Sequence, residues 1–384
     1  MNWLCLTSPR LSEIIIYMFR IRLFDKQANV ANYLLVLFSL LAFASLTVAT
    51  NSAAHSEVSS PPNNAGLAAK QNGSQVAYEI KHEQAEIIVG STDENKRAVN
   101  LLVSYPVGAQ TADQKFPLIV FSHGHALDNL SYQNLTNYWV ARGYFVVAPL
   151  HLDSGGDLKA VSVISKKYGN DWIAASRLLD LKASIDQIDI ITAELTDFVG
   201  QVSTDKIIAA GHSYGALSAQ QLSGAKLEDH GDSLYPIPES LTDSRVVSVV
   251  AISPPGLMKD HLTEATWSEY STPQLVVTGP NDFFPFIWPN YEDHFISYQT
   301  AQPGHNYLLV LDEMDHYLGN LIGRLERDGP PQDIALKNLS DVSLKFIEHY
   351  LNIESTDKDL GSKRPLSKTV TALKRDGVLR FEHR

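Results

Sequence analysis

Cysteine and an excess of positive charge are what this sequence most clearly lacks. The 384 residues include one cysteine, Cys5, which excludes an intrachain disulfide framework and any metal site built from several cysteines. The 31 Lys and Arg residues are outnumbered by 43 Asp and Glu residues, giving a formal net charge of −12. This acidic balance argues against a nucleic-acid partner, whose phosphates require clustered basic side chains.

Long apolar runs are also scarce, and the single one lies near the N-terminus at residues 33–50. Basic residues at 20–26 precede it and small residues follow it as far as Ala54, which is the arrangement of a cleaved secretory signal peptide. The run is short for a membrane span. We therefore expect a secreted or periplasmic protein, with a membrane anchor formed by residues 33–50 as the alternative. Met18 is a candidate true start.

The rest of the composition predicts a folded protein. Hydrophobic residues make up 44% of the chain and charged residues 19%, which excludes disorder as the main state. We expect an N-terminal region at 1–54, a Ser-, Pro- and Gly-rich linker at 55–75, one large domain at 76–352 and a tail at 353–384. The tail is expected either to add an edge strand through residues 378–381 or to be disordered.

Short runs rich in Val, Ile and Leu alternate with helical patterns. The predicted strands are 101–105, 117–121, 144–149, 206–210, 246–253, 274–278 and 307–311, and the predicted helices are 132–142, 172–195, 214–222 and 334–351. This alternation predicts an α/β fold with a mainly parallel sheet and helices on both faces. Functional side chains are then expected at the carboxyl ends of strands. Three intervals outside the alternation (152–171, 223–244 and 283–304) are candidate cap or pocket segments.

One predicted strand leads directly into Gly211-His212-Ser213-Tyr214-Gly215, and a helix of small residues follows. Strand, sharp turn and helix around Gly-x-Ser-x-Gly form the context of a nucleophile elbow. Both glycines are needed because the serine must sit in a strained turn without side chains two positions away. The pattern predicts Ser213 as a nucleophile and His212 as packing beneath the turn. The alternative is a glycine-rich turn with an idle serine.

A serine hydroxyl needs a histidine base and an acid that orients it. With this elbow both are expected later in the chain, acid first, each after a strand. Asp282 follows the strand at 274–278 and His316 follows the strand at 307–311. They are therefore the predicted acid and base. The alternative interpretations are that Asp282 only caps a turn and that His316 is a solvated loop histidine. Asp312 and Asp315 are rival acids on the loop of His316 itself.

The developing oxyanion needs two backbone amides. The predicted donors are the amide of Tyr214, directly after the nucleophile, and that of His125, in a His-Gly loop after an early strand. A metal site formed by His123, His125 and His151 is the alternative. These histidines lack both the i, i+4 helical spacing and a matching carboxylate ligand. A calcium site at 153–157 is a further alternative with incomplete ligand spacing. We expect no metal and no organic cofactor.

With these motifs in order, the chain resembles the α/β-hydrolase superfamily. Within it, the similarity is to dienelactone-hydrolase-like, chlorophyllase-like and platelet-activating-factor-acetylhydrolase-like esterases. The segments that carry it are Phe121-Ser122-His123-Gly124, Ala141-Arg142-Gly143-Tyr144 through Pro149, Gly211 to Gly215, and Asp315-His316. The resemblance spans roughly residues 78–352 and implies the α/β-hydrolase fold. Ser213 stands where dienelactone hydrolases have cysteine. No carboxylate stands at 251–254, where the acetylhydrolases carry their acid, so the acid falls to Asp282.

An aromatic cluster follows the predicted acid directly. Its members are Phe283, Phe284, Phe286 and Trp288. They are expected either to line an apolar substrate pocket or to pack as core beneath a cap.

Together these features predict a serine hydrolase of carboxylic esters that works through an acyl-enzyme. The expected partner is a small-molecule or lipid-like ester, with membrane contact only through the N-terminal segment. The alternatives are a peptidase of the same fold and a non-catalytic binding protein that has kept the fold.

Overall fold

The structure is a computed structural model. It describes residues 77–351, apart from single residues at 91, 109, 157, 260 and 328, and residues 376–384. The expected signal peptide or anchor, the start at Met18, the linker at 55–75 and most of the tail lie outside the described residues. In the part of the chain that is described, no helix combines the length and apolarity needed to cross a bilayer.

A single sheet organises the described residues. Its strands are β1 (Glu79–Val89), β2 (Arg97–Val107), β3 (Lys115–Ser122), β4 (Phe145–Pro149), β5 (Gln201–His212), β6 (Val246–Ile252), β7 (Gln274–Thr278), β8 (Asn306–Leu311) and β9 (Val378–His383). Their order across the sheet is β1-β2-β4-β3-β5-β6-β7-β8-β9. The pairs from β4 to β8 are parallel, whereas β1, β2 and β9 join antiparallel. This confirms the predicted α/β-hydrolase fold with a mainly parallel sheet.

Helices cover both faces of this sheet. They are α1 (Gln133–Val140), α2 (Leu158–Tyr168), α3 (Asn170–Asp186), α4 (Ile188–Ala193), α5 (Tyr214–Leu222), α6 (Ile296–Thr300) and α7 (Asp333–Leu351). Neighbouring strand residues point to opposite faces. Accordingly Phe121 packs in a core with Trp139 of α1 and Phe346 of α7, and Val120 packs in a second core with Leu181 of α3. The central strands are therefore buried on both sides, as their continuous apolar runs predicted.

Each predicted strand overlaps an observed one, and the structure differs from the prediction in other elements. β1 was not predicted, because its residues alternate between exposed and buried positions and include many polar side chains. The helix predicted at 172–195 is broken at Gln187 into α3 and α4. The interval 152–171 contains α2. The C-terminal residues form the edge strand β9, which pairs with β8.

Candidate active site

Ser213 lies at a sharp turn between β5 and α5. Its backbone angles are φ 54° and ψ −124°, a conformation that costs a non-glycine residue about 1–3 kcal/mol. The neighbouring chain enforces the turn. A side-chain carbon built on Gly211 would overlap the carbonyl oxygen of Gly215, and one built on Gly215 would overlap that of Ser122. The amide of Ser213 donates to the carbonyl of Ile252 at 2.8 Å, so the turn is also tied to β6.

Asp282 and His316, the predicted acid and base, are in direct contact. The imidazole Nδ1 lies 2.8 Å from Asp282 Oδ1, and the hydroxyl of Thr278 donates to Asp282 Oδ2 at 2.7 Å. Asp282 is completely buried and His316 is 6% exposed. Burial opposes ionisation of Asp282, but its electrostatic and hydrogen-bonding interactions with His294 and His316 outweigh it and hold the carboxyl pKa well below its ordinary value. The carboxylate accepts the hydrogen bond, so Nδ1 of His316 carries a proton.

The rival acids serve their own loop. Asp315 accepts the amides of Tyr317 and Gly319 at 2.8 and 2.9 Å, and Asp312 accepts the amide of Glu313 at 3.0 Å. Among the contacts of the described residues, the His316 imidazole is therefore joined to Asp282 and to neither rival.

A chain of hydrogen bonds connects three loops of the site. The amide of Gly124 donates to the hydroxyl of Tyr132 at 3.0 Å, and that hydroxyl lies 2.9 Å from Nδ1 of His212. His212 Nε2 donates to the backbone carbonyl of His316 at 2.7 Å, so Nδ1 accepts from Tyr132. Burial and the charge of His316 hold the pKa of His212 well below its ordinary value. A neutral, buried His212 therefore links the residue next to Ser213 with the other two loops.

Arg177 of α3 holds the His-Gly loop from beneath. This side chain is completely buried, and its guanidinium donates to the carbonyls of His123 at 2.7 Å and Gly124 at 3.3 Å. The described peptides are all trans, and in a trans peptide the carbonyl and the amide point in opposite directions. A guanidinium on the carbonyl of Gly124 therefore directs the amide of His125 away from the protein interior beneath the loop.

The same guanidinium is paired with a buried carboxylate. Arg177 Nε and Nη2 donate to the two oxygens of Asp153 at 2.9 and 2.8 Å, and Nδ1 of His125 lies 2.8 Å from Asp153 Oδ2. Burial opposes ionisation of Asp153, but Arg177 and His125 outweigh it and hold its pKa well below normal. Arg177 also lies 4.6 Å from the ring centroid of Tyr214. A carboxylate so engaged does not fit the calcium alternative at 153–157.

Comparisons with known proteins bear on this geometry. Residues 72–229 match the model of the chlorophyllase family, and no curated protein sequence matches the chain. Ferulic acid esterase from Streptomyces cinnamoneus superposes with a TM-score of 0.51 at 14% identity, covering 77% of this chain and 95% of the esterase. The chain therefore has the α/β-hydrolase fold.

Two further solved structures are similar to this chain at lower TM-scores. A protein assigned as a dienelactone hydrolase from Klebsiella pneumoniae has a TM-score of 0.43 at 13% identity, covering 71% of this chain and 99% of its own. A protein assigned as a hydrolase from Agrobacterium vitis has a TM-score of 0.44 at 14% identity, covering 70% and 100%.

His123 and His151, the other two histidines of the alternative metal site, are hydrogen-bonded to protein groups. Nδ1 of His123 donates to the carbonyl of Gly124 at 2.7 Å, and its Nε2 accepts the amide of His151 at 3.0 Å. The ring nitrogens of His151 lie 2.8 Å from the hydroxyl of Ser122 and 2.9 Å from Asp180. Burial lowers the pKa of His123 to about 4. These contacts favour a structural role over metal binding.

The aromatic cluster after Asp282 divides between core and surface. The ring of Phe284 meets the His316 ring edge-on, with centroids 4.6 Å apart. Trp288 is 3% exposed, whereas Phe283 and Phe286 are 45% and 73% exposed. The cluster therefore has one aromatic ring against the predicted base, one in the core and two at the surface.

A second histidine contacts Asp282 from another direction. Nε2 of His294 lies 3.2 Å from Asp282 Oδ1, and the donor atoms of Asp282, His294 and His316 all lie within 4.8 Å of one another. A metal ion bound at about 2.1 Å to two ligands holds them more than 3 Å apart. The 2.8 Å between His316 and Asp282 is instead the length of a direct hydrogen bond. The Asp282–His316 pair therefore fits a direct hydrogen bond better than two ligands of a metal centre.

Sequence reasoning missed Arg177, Tyr132 and His294. None of them belongs to a local motif, since each acts on a residue distant in the chain. The available signal is an arginine within a helix of mostly apolar and small residues, which in a buried helix demands a carboxylate partner.

Proposed function

We propose that this α/β-hydrolase cleaves carboxylic esters through Ser213, His316 and Asp282. The observation that carries the proposal is the buried 2.8 Å contact between His316 and Asp282, which lie after β8 and β7 of the sheet whose β5 leads into the strained turn at Ser213. Nucleophilic acyl transfer requires an exposed serine and an imidazole that a carboxylate orients, and the strained turn at Ser213 and the His316–Asp282 contact are compatible with that requirement.

The chemistry proceeds in two halves. Nε2 of His316 takes the proton from Ser213 Oγ while that oxygen attacks the ester carbonyl carbon. The tetrahedral intermediate collapses, the protonated imidazole gives its proton to the departing alcohol, and an acyl-enzyme remains. His316 then takes a proton from water, whose oxygen attacks the acyl carbon, and Ser213 regains its proton as the acid leaves. Throughout, Asp282 orients the imidazole and stabilises its charged form.

The proposed oxyanion donors are the amides of Tyr214 and His125. Tyr214 is the first residue of α5, where a helix has amides without intrahelical acceptors. The amide of His125 takes its direction from the Gly124 carbonyl, which Arg177 anchors. Two donors from separate elements are what a tetrahedral oxyanion requires.

The proposed substrate pocket includes Phe284, whose ring packs on His316. Phe283 and Phe286, close to Phe284 in the sequence, present exposed apolar rings. These rings and the similarity to proteins named chlorophyllase and ferulic acid esterase favour esters with an apolar or aromatic part. A peptidase of the same fold is therefore the second candidate, behind an esterase. A non-catalytic binding protein is a weaker alternative, because nothing in binding alone requires a strained serine.

Ester hydrolysis by the Ser213→Ala variant tests the proposal. Hydrolysis of p-nitrophenyl acetate is expected to fall by a factor on the order of 10⁴ or more, while Ser268→Ala, at an exposed serine, keeps wild-type turnover. A panel of acyl chains from acetyl to palmitoyl then defines the pocket. Undiminished hydrolysis by Ser213→Ala would exclude the mechanism, and turnover of peptides but not esters would favour the peptidase.

A further inference from the structure

His294 is a completely buried histidine whose ring has one nitrogen on a backbone carbonyl. It lies in the 3₁₀ turn Tyr291–Phe295, and its Nδ1 is 2.6 Å from the carbonyl oxygen of Pro254, just after β6. A carbonyl oxygen only accepts hydrogen bonds, so Nδ1 carries a proton.

The other nitrogen of His294 faces an ionised carboxylate. Nε2 is 3.2 Å from Asp282 Oδ1, and no solvent reaches either side chain, since both are 0% exposed. Nε2 has no hydrogen-bond partner among the described residues, so a neutral imidazole with its proton on Nδ1 would leave an unsatisfied lone pair beside a negative oxygen in a dry interior. That arrangement leaves two acceptors facing each other without a hydrogen. A proton on Nε2 removes the conflict.

We infer that His294 is a buried imidazolium that neutralises Asp282 and positions it for His316. The inference rests on the proposed function, because it assigns His294 a task in that site. Asp282 Oδ1 then faces His294 and His316, and Oδ2 accepts from Thr278, so the carboxylate cannot turn away from the base. His294 touches no reacting atom and is a positioning residue.

The groups around His294 are consistent with a positive charge. The titratable residues that face it are Asp282 after β7, Asp293 on its own turn, and the histidines His316 and His212, while the edge of Trp288 packs on the ring 5.5 Å away. Burial disfavours the charged form, but Asp282 and the Pro254 carbonyl outweigh it and raise the pKa of His294 above its ordinary value.

This charge changes how the base responds to pH. The centroids of the His294 and His316 rings are 6.0 Å apart, so a cation on His294 opposes protonation of His316. Without that cation, Asp282 attracts a proton onto His316 more strongly. The neutral base would then exist only at higher pH, and the acid limb of kcat/KM would move upward by about one pH unit.

Spectra of the full chain labelled with ¹⁵N-histidine test the protonation state without relying on activity. Near neutral pH one buried imidazole is expected to carry protons on both nitrogens, and its signals are expected to be absent from His294→Gln. The same spectrum of Ser213→Ala keeps them. A single protonated nitrogen on His294 would overturn the inference and leave the proposed function standing. If His294 were an imidazolium but the protein hydrolysed no ester, the protonation state would stand and the proposed function would be wrong.

Kinetics separate positioning from a merely structural role. His294→Gln keeps an amide donor near Asp282 but removes the charge, so kcat/KM is expected to fall only a few-fold at alkaline pH while its acid limb moves up. His294→Leu also loses the donor and is expected to lose about tenfold more kcat. His305→Gln, at an exposed histidine, is the control with an unchanged profile. A uniform loss at every pH in His294→Gln would contradict the assignment.

Discussion

Two buried carboxylates in this site differ in the cation that each one faces. Asp153 is paired with the guanidinium of Arg177 through two hydrogen bonds, whereas Asp282 is set between two imidazoles. Both carboxylates are completely buried, and in both the pKa is held well below its ordinary value. They are therefore matched in burial and ionisation but not in partner.

The difference in partner follows the difference in task. A guanidinium keeps its charge at every working pH, and Arg177 fixes the backbone proposed to bind the oxyanion. An imidazole exchanges its proton near neutrality, and the proposed mechanism requires His316 to do so in each catalytic cycle. The comparison teaches that a permanent ion pair supports the fixed side of the site and a titratable one supports the side that moves protons.

The largest expected effect comes from changing Asp282, the carboxylate that faces the two imidazoles. Asp282→Asn should lower kcat by about 10⁴, because the amide no longer stabilises the imidazolium and can select the wrong tautomer of His316. Asp312→Asn is the control and should keep wild-type turnover of p-nitrophenyl acetate. If Asp312→Asn or Asp315→Asn removed activity and Asp282→Asn did not, the acid would have to be reassigned.

The next largest effect comes from removing Arg177, the guanidinium partner of Asp153. Arg177→Met leaves the buried Asp153 with the imidazole of His125 but without its guanidinium, and should lower the free energy of unfolding by about 3–5 kcal/mol. Lys182→Met on the same helix removes a partly exposed pair with Asp243 and should cost less than about 1 kcal/mol. Urea unfolding measures both. Equal losses in the two variants would mean that the buried pair contributes nothing particular.

A smaller effect is expected in the free energy of unfolding measured as a function of pH. The raised pKa of His294 means that its contribution is complete below the unfolded value near 6.5 and is lost as pH rises through the folded value. The lowered pKa of Asp282 means the opposite, a contribution lost on acidification. The unfolding free energy should thus decline at alkaline pH in wild type and decline less in His294→Gln. Identical slopes in the two proteins would count against a charged His294.

The smallest effect is expected in the hydrogen-bond chain through Tyr132 and His212, which connects the His-Gly loop to the loop of His316. Tyr132→Phe removes the hydroxyl that joins the amide of Gly124 to His212 and should cost about 1 kcal/mol of stability, with a few-fold loss of kcat. Tyr350→Phe, remote from the site, is the matched control. If kcat were unchanged in Tyr132→Phe, the hydrogen-bond chain would not position the loops.

The sequence predicts the parallel core of the fold and the carboxyl ends of its strands well, because those features are local, whereas β2 and β5 begin earlier than predicted. Buried strands appear as continuous apolar runs, and Ser213 lies in a motif that is contiguous in the chain. β1 escapes this reasoning, since antiparallel pairing with β2 lets half of its side chains be polar. The break at Gln187 was missed for a related reason: both α3 and α4 have apolar residues at helical spacing.

The charged supports of the site could not be predicted in the same way. Arg177 is meaningful only together with Asp153, and His294 only together with Asp282 and the carbonyl of Pro254. These contacts depend on how the loops after β4, β6 and β7 return to the sheet, and no spacing in the sequence fixes that. Tertiary packing decides which of the many polar residues become buried partners.

The measurement that tests the central claim most directly is the reaction of the folded protein with a fluorophosphonate, followed by mass spectrometry of its peptides. The account predicts one adduct, on Ser213, formed with loss of fluoride and greatly slowed in Asp282→Asn. An unlabelled folded protein, or an adduct on another serine that persists in Ser213→Ala, would contradict it.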